Sequence, residues 1–203
     1  MNSNEINIAI VGATGAAGGT ALELLLERNH PTDKIVAMAS ERSAGKKIQY
    51  GDTELTVVHA TVDAFEGIDV ALFAAGGYVS RRLARKVVEK GVFVIDKGSI
   101  FRMDPTIPLV VPEVNADDIE WHPGIVSTPN CTSTPLVMVL DALRSLSPIT
   151  AVTVATYQSV TGTGVAANEE LLEQSRAALA GEISVPQVYP HPIAFNVLPH
   201  IDD

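Results

Sequence analysis

A chain of 203 residues is long enough for one large domain or for one and a half of ordinary size. With 46% hydrophobic and 19% charged residues it has ample apolar side chain to bury, which excludes a disordered or low-complexity polymer. The 14 Lys and Arg against 24 Asp and Glu leave a formal charge of −10, which argues against a nucleic-acid or anionic-membrane surface, so an anionic ligand must be held by local donors. A single cysteine excludes an internal disulfide and leaves no Cys partner for a CxxC metal site. The first residues carry no basic n-region and no apolar h-region, and the longest apolar runs, 70–75 and 136–140, fall far short of the roughly 20 residues needed to cross a bilayer. The expectation is a cytoplasmic protein with no membrane span.

In chain order, residues 6–11 form a short apolar run ended by glycines, followed by Leu22, Leu25 and Leu26 on one helical face, which reads as strand, tight loop, helix. Residues 34–39 are a second strand, and 47–50 and 54–58 form a small hairpin across Gly51-Asp52-Thr53. Residues 69–75 make a third buried strand. After Gly76-Gly77 a helix runs through Lys90, closed by Gly91 where a left-handed cap is expected, and 92–96 resumes as strand. Strands alternating with helices predict a doubly wound, mainly parallel sheet with helices on both faces. Between 104 and 129 five prolines punctuate short apolar pieces, read as the end of a first domain spanning 1–129. A helix over 134–146, a strand over 151–157, a loop with Gly162 and Gly164 and a helix over 168–180 then open a second domain, 130–203.

Gly12-Ala13-Thr14-Gly15-Ala16-Ala17-Gly18 is a G-x-x-G-x-x-G loop between the first strand and the first helix. Small residues let backbone approach a pyrophosphate, and the helix N-terminus offers unpaired N–H groups, so the strand–loop–helix context favours a dinucleotide over an ordinary turn. About 20 residues further on, an NAD site usually places a carboxylate for the ribose 2′-OH. Here the segment is Ser40-Glu41-Arg42-Ser43, whose guanidinium and hydroxyls suit a 2′-phosphate and so NADP, although Glu41 weakens that inference.

Cys131 follows Asn130 and leads into an apolar helix, so it lies at or just before a helix N-terminus, where the dipole favours thiolate over thiol. An isolated Cys is often a buried hydrophobe, but the polar neighbours here favour chemistry. Asn130, Thr132 and Ser133 either cap the helix or donate to an oxyanion, as backbone N–H groups also could. A thiolate beside a nicotinamide suggests attack on an aldehyde, hydride loss to the cofactor and release of an acyl-thioester by a second nucleophile. If that nucleophile is phosphate, Arg102 supplies an anion site, unless it merely forms a surface ion pair with Asp104.

With these pieces the sequence resembles the aspartate-semialdehyde dehydrogenase family over essentially its whole length. The resemblance rests on 12–18, 40–46, Phe101-Arg102-Met103-Asp104, Val110-Val111-Pro112-Glu113-Val114-Asn115, Pro129-Asn130-Cys131-Thr132, 156–162 and 193–202. It implies a Rossmann-like domain followed by the start of an α+β catalytic and dimerisation domain. It further implies interconversion of aspartate 4-semialdehyde and 4-aspartyl phosphate with NADP and inorganic phosphate, in the branch leading to lysine, methionine, threonine and isoleucine. Cys131 would be the acyl-thioester nucleophile, Arg102 the phosphate ligand, Gln158 a substrate contact near the thioester and Asn130 its orienting neighbour. Gly12, Thr14, Gly15, Ala16, Ala17, Arg42 and Ser43 would hold the cofactor, with Thr161 and Gly162 near the nicotinamide. A homodimer or homotetramer is implied for the complete enzyme.

Two departures stand out. The family commonly shows an Asn-Ser pair after the fourth strand, where this chain has Lys97-Gly98 and an extra positive charge near the cofactor cleft. The family's general base, a His, and its substrate-carboxylate Arg belong to a segment beyond residue 203, while His191 and His200 read as structural. The expectation is a chain incomplete for catalysis. Its alternatives are an N-acetyl-glutamyl-phosphate reductase-like enzyme, which the contexts of Cys131 and Gln158 fit less well, or a non-catalytic nucleotide-binding module.

Overall fold

The computed structural model describes residues 5–200, so Met1 to Asn4, and Ile201 and Asp202 at the end of the last family-like segment, lie outside it. Two compact units are present, Met1–Val154 and Ala155–Asp203.

In the first unit β1 (Ile8–Val11) leads to α1 (Ala16–Glu27), then β2 (Ile35–Ala39), β3 (Lys47–Tyr50), β4 (Thr53–Thr56) and β5 (Val58–His59). β6 (Val70–Phe73), α2 (Gly77–Val88), β7 (Phe93–Asp96), the short α3 (Pro112–Asn115), β8 (Ile125–Ser127) and α4 (Ser133–Arg144) follow. The main sheet has the order β5-β2-β1-β6-β7-β8, and its paired strands are parallel throughout. Side chains alternate between its faces with the period of two that a strand imposes. Ala9, Val11 and Met38 join Phe65, Phe73, Leu83, Ala84, Val87 and Val94 in one cluster, while Ile10, Ile35, Ala37 and Ala39 join Leu22, Tyr50 and Leu55 in another. A sheet buried on both faces needs apolar residues at successive positions, and that is why these strands read as continuous hydrophobic runs.

The helices carry the matching stripes. α2 buries Ser80, Leu83, Ala84 and Val87, an i, i+3, i+4, i+7 face, and stops where Gly91 takes φ +86°. α1 packs through Gly18 and Leu22 and ends at Asn29, whose φ of +57° makes it the left-handed cap. Asn115 clasps the proline-rich connection: its Oδ1 accepts from Val111 N–H, and its Nδ2 donates to the Leu109 carbonyl and to Asp118.

The doubly wound parallel sheet is as expected; several elements differ. The second arm of the hairpin divides at Val57, whose N–H and carbonyl still pair with Lys46 and Gly45, while Val58 and His59 leave the hairpin to pair with Met38 and Ala39 on the main sheet. β8 lay unseen in the proline-punctuated stretch because three residues are too few to show a periodicity. No strand forms over 151–157: its β-branched alternation is strand-like, but a strand exists only as one side of a ladder, and no described segment pairs with it. Helix bounds shift by a few residues, as with α4.

The second unit is built on α5 (Val165–Leu179), which begins three residues earlier than expected because Gly164, at φ +121°, opens it. Glu170 and Gln174, one turn apart and buried, hold an irregular segment beside the helix. Glu170 accepts from the N–H groups of Gln187, Val188 and Tyr189, and Gln174 Oε1 accepts from those of Ile193 and Ala194. Burial alone would push the Glu170 carboxyl up, but the three main-chain donors outweigh it and hold it below the ordinary glutamate range.

Candidate active site

Because the strands are parallel, the loops that follow β1, β2, β6, β7 and β8 all emerge on one edge of the sheet, where ligands of such folds bind. The glycine loop sits at the switch point, between the chain's first excursion to β2 and its return to β6 on the other side of β1. Gly12 and Ala13 donate to the Met38 carbonyl at 2.8 and 3.0 Å, tying the loop to the end of β2. Gly12 has φ +91°, and a Cβ there would stand 2.6 Å from the Ala74 carbonyl oxygen, so only glycine lets the loop cross this close to β6. At Gly18 a Cβ would fall 2.1 Å from the Gly12 oxygen, so the helix can start tight against its loop only with glycine there.

α1 has Gly15 at its N-cap and no side-chain cap, with Thr14, Ala16 and Ala17 exposed around it. Small side chains, an uncapped helix N-terminus and a positive dipole end are what a dinucleotide pyrophosphate requires, so the residues present fit such a group. Arg42 and Ser43 lie in a 3₁₀ turn, Glu41–Ser43, directly after β2 and hence beside this loop, Arg42 exposed and Ser43 buried.

On the other side of the switch point β7 and β8 deliver the chemistry-bearing groups. Cys131 is exposed, just before α4. Asn130 shapes its approach: Oδ1 accepts from Thr132 N–H at 2.9 Å and Thr132 Oγ at 2.6 Å, and its carbonyl accepts from the N–H groups of Ser133 and Thr134, both at 3.0 Å. Asn130 therefore caps α4, and its Oδ1 lies 3.9 Å from the sulfur of Cys131. Of the two roles open to Thr132 and Ser133, capping is taken over by Asn130, and the Thr132 hydroxyl is spent on that cap.

Arg102 is half-buried and reaches back across the edge, its Nε donating to the Thr128 carbonyl at 3.0 Å and an Nη to the Lys97 carbonyl at 3.1 Å. The surface pair with Asp104 does not form. Asp104 binds Arg85 at 2.9 Å and the hydroxyl and N–H of Thr106, which together hold its carboxyl below the ordinary range. Two main-chain carbonyls thus fix Arg102, and they hold it at Thr128, three residues along the chain from Cys131.

Asp96, which the sequence motifs do not single out, ends β7 fully buried. Its Oδ1 accepts from Gly98 N–H and its carbonyl from Thr128 N–H. Burial pushes the carboxyl up; the neighbouring Ser80 hydroxyl, Gly98 N–H and Arg102 charge offset part of that. A carboxylate ending an otherwise apolar strand was the available signal. Among the described residues no group of three or more His, Cys, Asp or Glu is arranged to hold a metal ion.

Gln158, Thr161 and Gly162 belong to the second unit. Gln158 Nε2 lies 3.0 Å from where a Cβ on Gly162 would be, and Ser159 Oγ caps the 3₁₀ turn by accepting from Thr161 N–H. His191 is exposed, and His200 packs edge-on against Tyr189 with 5.8 Å between ring centroids.

The pattern described as "Semialdehyde dehydrogenase, NAD binding domain" matches residues 7–122, and "Semialdehyde dehydrogenase, dimerisation domain" matches 140–203. Aspartate-semialdehyde dehydrogenase of Aquifex aeolicus is 47% identical over 199 residues, covering 96% of this chain and 58% of the relative. That of Bacillus subtilis is 44% identical over 204 residues, covering 97% and 59%. The chain therefore spans a little under three fifths of the length of these curated relatives. Among solved structures, aspartate semialdehyde dehydrogenase II of Vibrio cholerae complexed with ASA superposes with a TM-score of 0.92 at 40% identity, over 98% of this chain and 60% of that one. The Candida albicans enzyme with NADP gives 0.63 at 27%, over 77% and 52%. No helix among the described residues is long and apolar enough to cross a membrane.

Proposed function

The chain belongs to the semialdehyde dehydrogenase family, and from that premise we propose that it carries the cofactor loop, the nucleophile and the phosphate ligand of an aspartate-semialdehyde dehydrogenase. The observation that carries the reading is an exposed Cys131 at the mouth of α4, three residues from Thr128, whose carbonyl accepts from Arg102 Nε.

A nicotinamide dinucleotide, when bound, supplies hydride transfer at the substrate carbonyl carbon. The loop Gly12, Thr14, Gly15, Ala16 and Ala17 holds its pyrophosphate, and Arg42 with Ser43 receives the 2′-phosphate of NADP. In the reductive direction the Cys131 thiolate attacks the acyl carbon of 4-aspartyl phosphate, the carbon–sulfur bond forms, and phosphate leaves with the electron pair of the broken C–O bond. Arg102 takes up the negative charge of the departing phosphate, the kind of task a fixed guanidinium performs best. In the oxidative direction the same Arg102 presents inorganic phosphate to the thioester and the sulfur leaves as thiolate. Asn130 orients the sulfur through the cap, and Gln158 contacts the acyl group. The enzyme acts as a homodimer or homotetramer, consistent with the dimerisation pattern over 140–203.

The test is steady-state formation of NADPH from aspartate semialdehyde by the protein as its gene encodes it. Expected is a rate that requires phosphate and that exceeds the rate on N-acetylglutamate semialdehyde by on the order of 10²-fold or more, since a mismatched polar group in a site is costly. Equal rates on both aldehydes, or a rate indifferent to phosphate, would refute the proposal.

A further inference from the structure

The two carbonyls that hold Arg102 are both adjacent to one buried acid. Lys97, whose carbonyl receives the Arg102 Nη at 3.1 Å, directly follows Asp96. Thr128, whose carbonyl receives the Nε at 3.0 Å, donates its own N–H to the Asp96 carbonyl at 2.9 Å. The Asp96 carboxylate closes the turn between them by accepting from Gly98 N–H at 2.5 Å.

Burying a carboxylate costs free energy that packing alone does not justify. Asp96 is 0% exposed; among the described residues its Oδ2 and the buried Ser127 hydroxyl meet no hydrogen-bond partner, while the Ser80 hydroxyl lies close enough to favour the charged form of the carboxyl. Ser127 is the register partner of Asp96 on β8. A small apolar residue would avoid this cost, so the acid is explained by what it holds. The fit against Gly98 is tight, since a Cβ there would lie 2.9 Å from the same Asp96 Oδ1 that accepts from its N–H.

We propose that Asp96 is a positioning residue for the anion site: its carboxylate fixes the Lys97–Gly98 turn, and with it the carbonyl frame that aims Arg102 at phosphate. The proposal rests on the reading of Arg102 as the phosphate ligand. Asp96 itself touches no substrate.

The experiment measures KM for phosphate and kcat in the protein as its gene encodes it, for Asp96→Ala, Asp96→Asn, Gly98→Ala, Arg102→Ala and the double variant Asp96→Ala with Arg102→Ala. Expected for Asp96→Ala is a phosphate KM raised about tenfold, the size of one lost charge-assisted hydrogen bond, with kcat changed far less. Asp96→Asn, which keeps an acceptor for Gly98 N–H, should recover part of that rise. The double variant should be no worse than Arg102→Ala alone, because two residues acting through one contact are not additive. If Asp96→Ala does not fold, Asp96→Asn and Gly98→Ala decide: Gly98→Ala crowds the carboxylate and should raise phosphate KM severalfold. Unchanged phosphate KM in both, or a fall in kcat alone, overturns the proposal, as does an additive double variant. Should Arg102→Ala itself leave phosphate KM unchanged, the anion-ligand reading fails and the positioning role with it. Should only Arg102→Ala raise it, the positioning role alone fails.

Discussion

Cys131 owes its proposed reactivity to where the chain puts it: exposed, ahead of α4, with the Asn130 cap fixing the residues on either side. Cys131→Ser keeps the size and the cap but replaces a soft, strongly nucleophilic sulfur by a weakly nucleophilic hydroxyl, so turnover should fall on the order of 10³-fold or more with Kd for nucleotide unchanged. Binding titration beside a rate assay checks both halves, and appreciable turnover by the serine variant would contradict the assignment. Arg42 is the corresponding residue for cofactor choice. Exposed in the turn after β2, it has the charge and planar donors for a 2′-phosphate, and Arg42→Ala should raise KM for NADP about tenfold while leaving that for NAD within a factor of about two. Equal losses for both nucleotides would place Arg42 outside the 2′-phosphate site.

At the scale of elements, the contact between α1 and its loop is the most demanding. Gly18→Ala would put a methyl 2.1 Å from the Gly12 oxygen, so the helix must back away; a loss of about 2 kcal/mol or more in denaturant unfolding is expected, with weaker nucleotide binding. Unaltered stability would mean that the loop and helix do not pack as described. α5 offers a different test. The Glu170 carboxyl is held below its ordinary value, so its ionised form favours the fold; that contribution is complete above the unfolded glutamate pKa of about 4.3 and is lost as pH falls through the lower folded value. Melting temperature should therefore drop on acidification from about pH 5 to about pH 3, and Glu170→Gln should flatten part of that slope. An identical slope in the variant would contradict the clasp. The same scale shows where sequence patterns stop. The helix that follows the glycine loop and the apolar runs of β1 and β2 were legible because each depends on neighbours within a few positions along the chain. The segment 151–157 carries a strand's composition yet forms none, since pairing is a property of two segments and sequence displays them one at a time.

Across the whole molecule, an excess of 24 acids over 14 bases predicted that anions would be met by local donors, and the structure places the candidates for that task, the α1 terminus, Arg42 and Arg102, on the edge where the parallel strands end. The doubly wound sheet, the glycine loop and the helix position of Cys131 could all be read from spacing and small-residue patterns. The frame around Arg102 could not, because its bond to Thr128 joins residues 26 apart and runs through backbone carbonyls that have no sequence signature. Asp96 was hidden for a related reason: a strand-end acid is a common sight, and only the fold shows it buried between the two carbonyl holders. Whether Cys131 carries the acyl group is decided by intact-protein and peptide mass spectrometry after brief exposure to 4-aspartyl phosphate without nucleotide. Expected is one added aspartyl group, on the Cys131 peptide, removed by hydroxylamine and absent in Cys131→Ser; an adduct on another residue, or none while phosphate is still released, would rule Cys131 out as the acyl carrier.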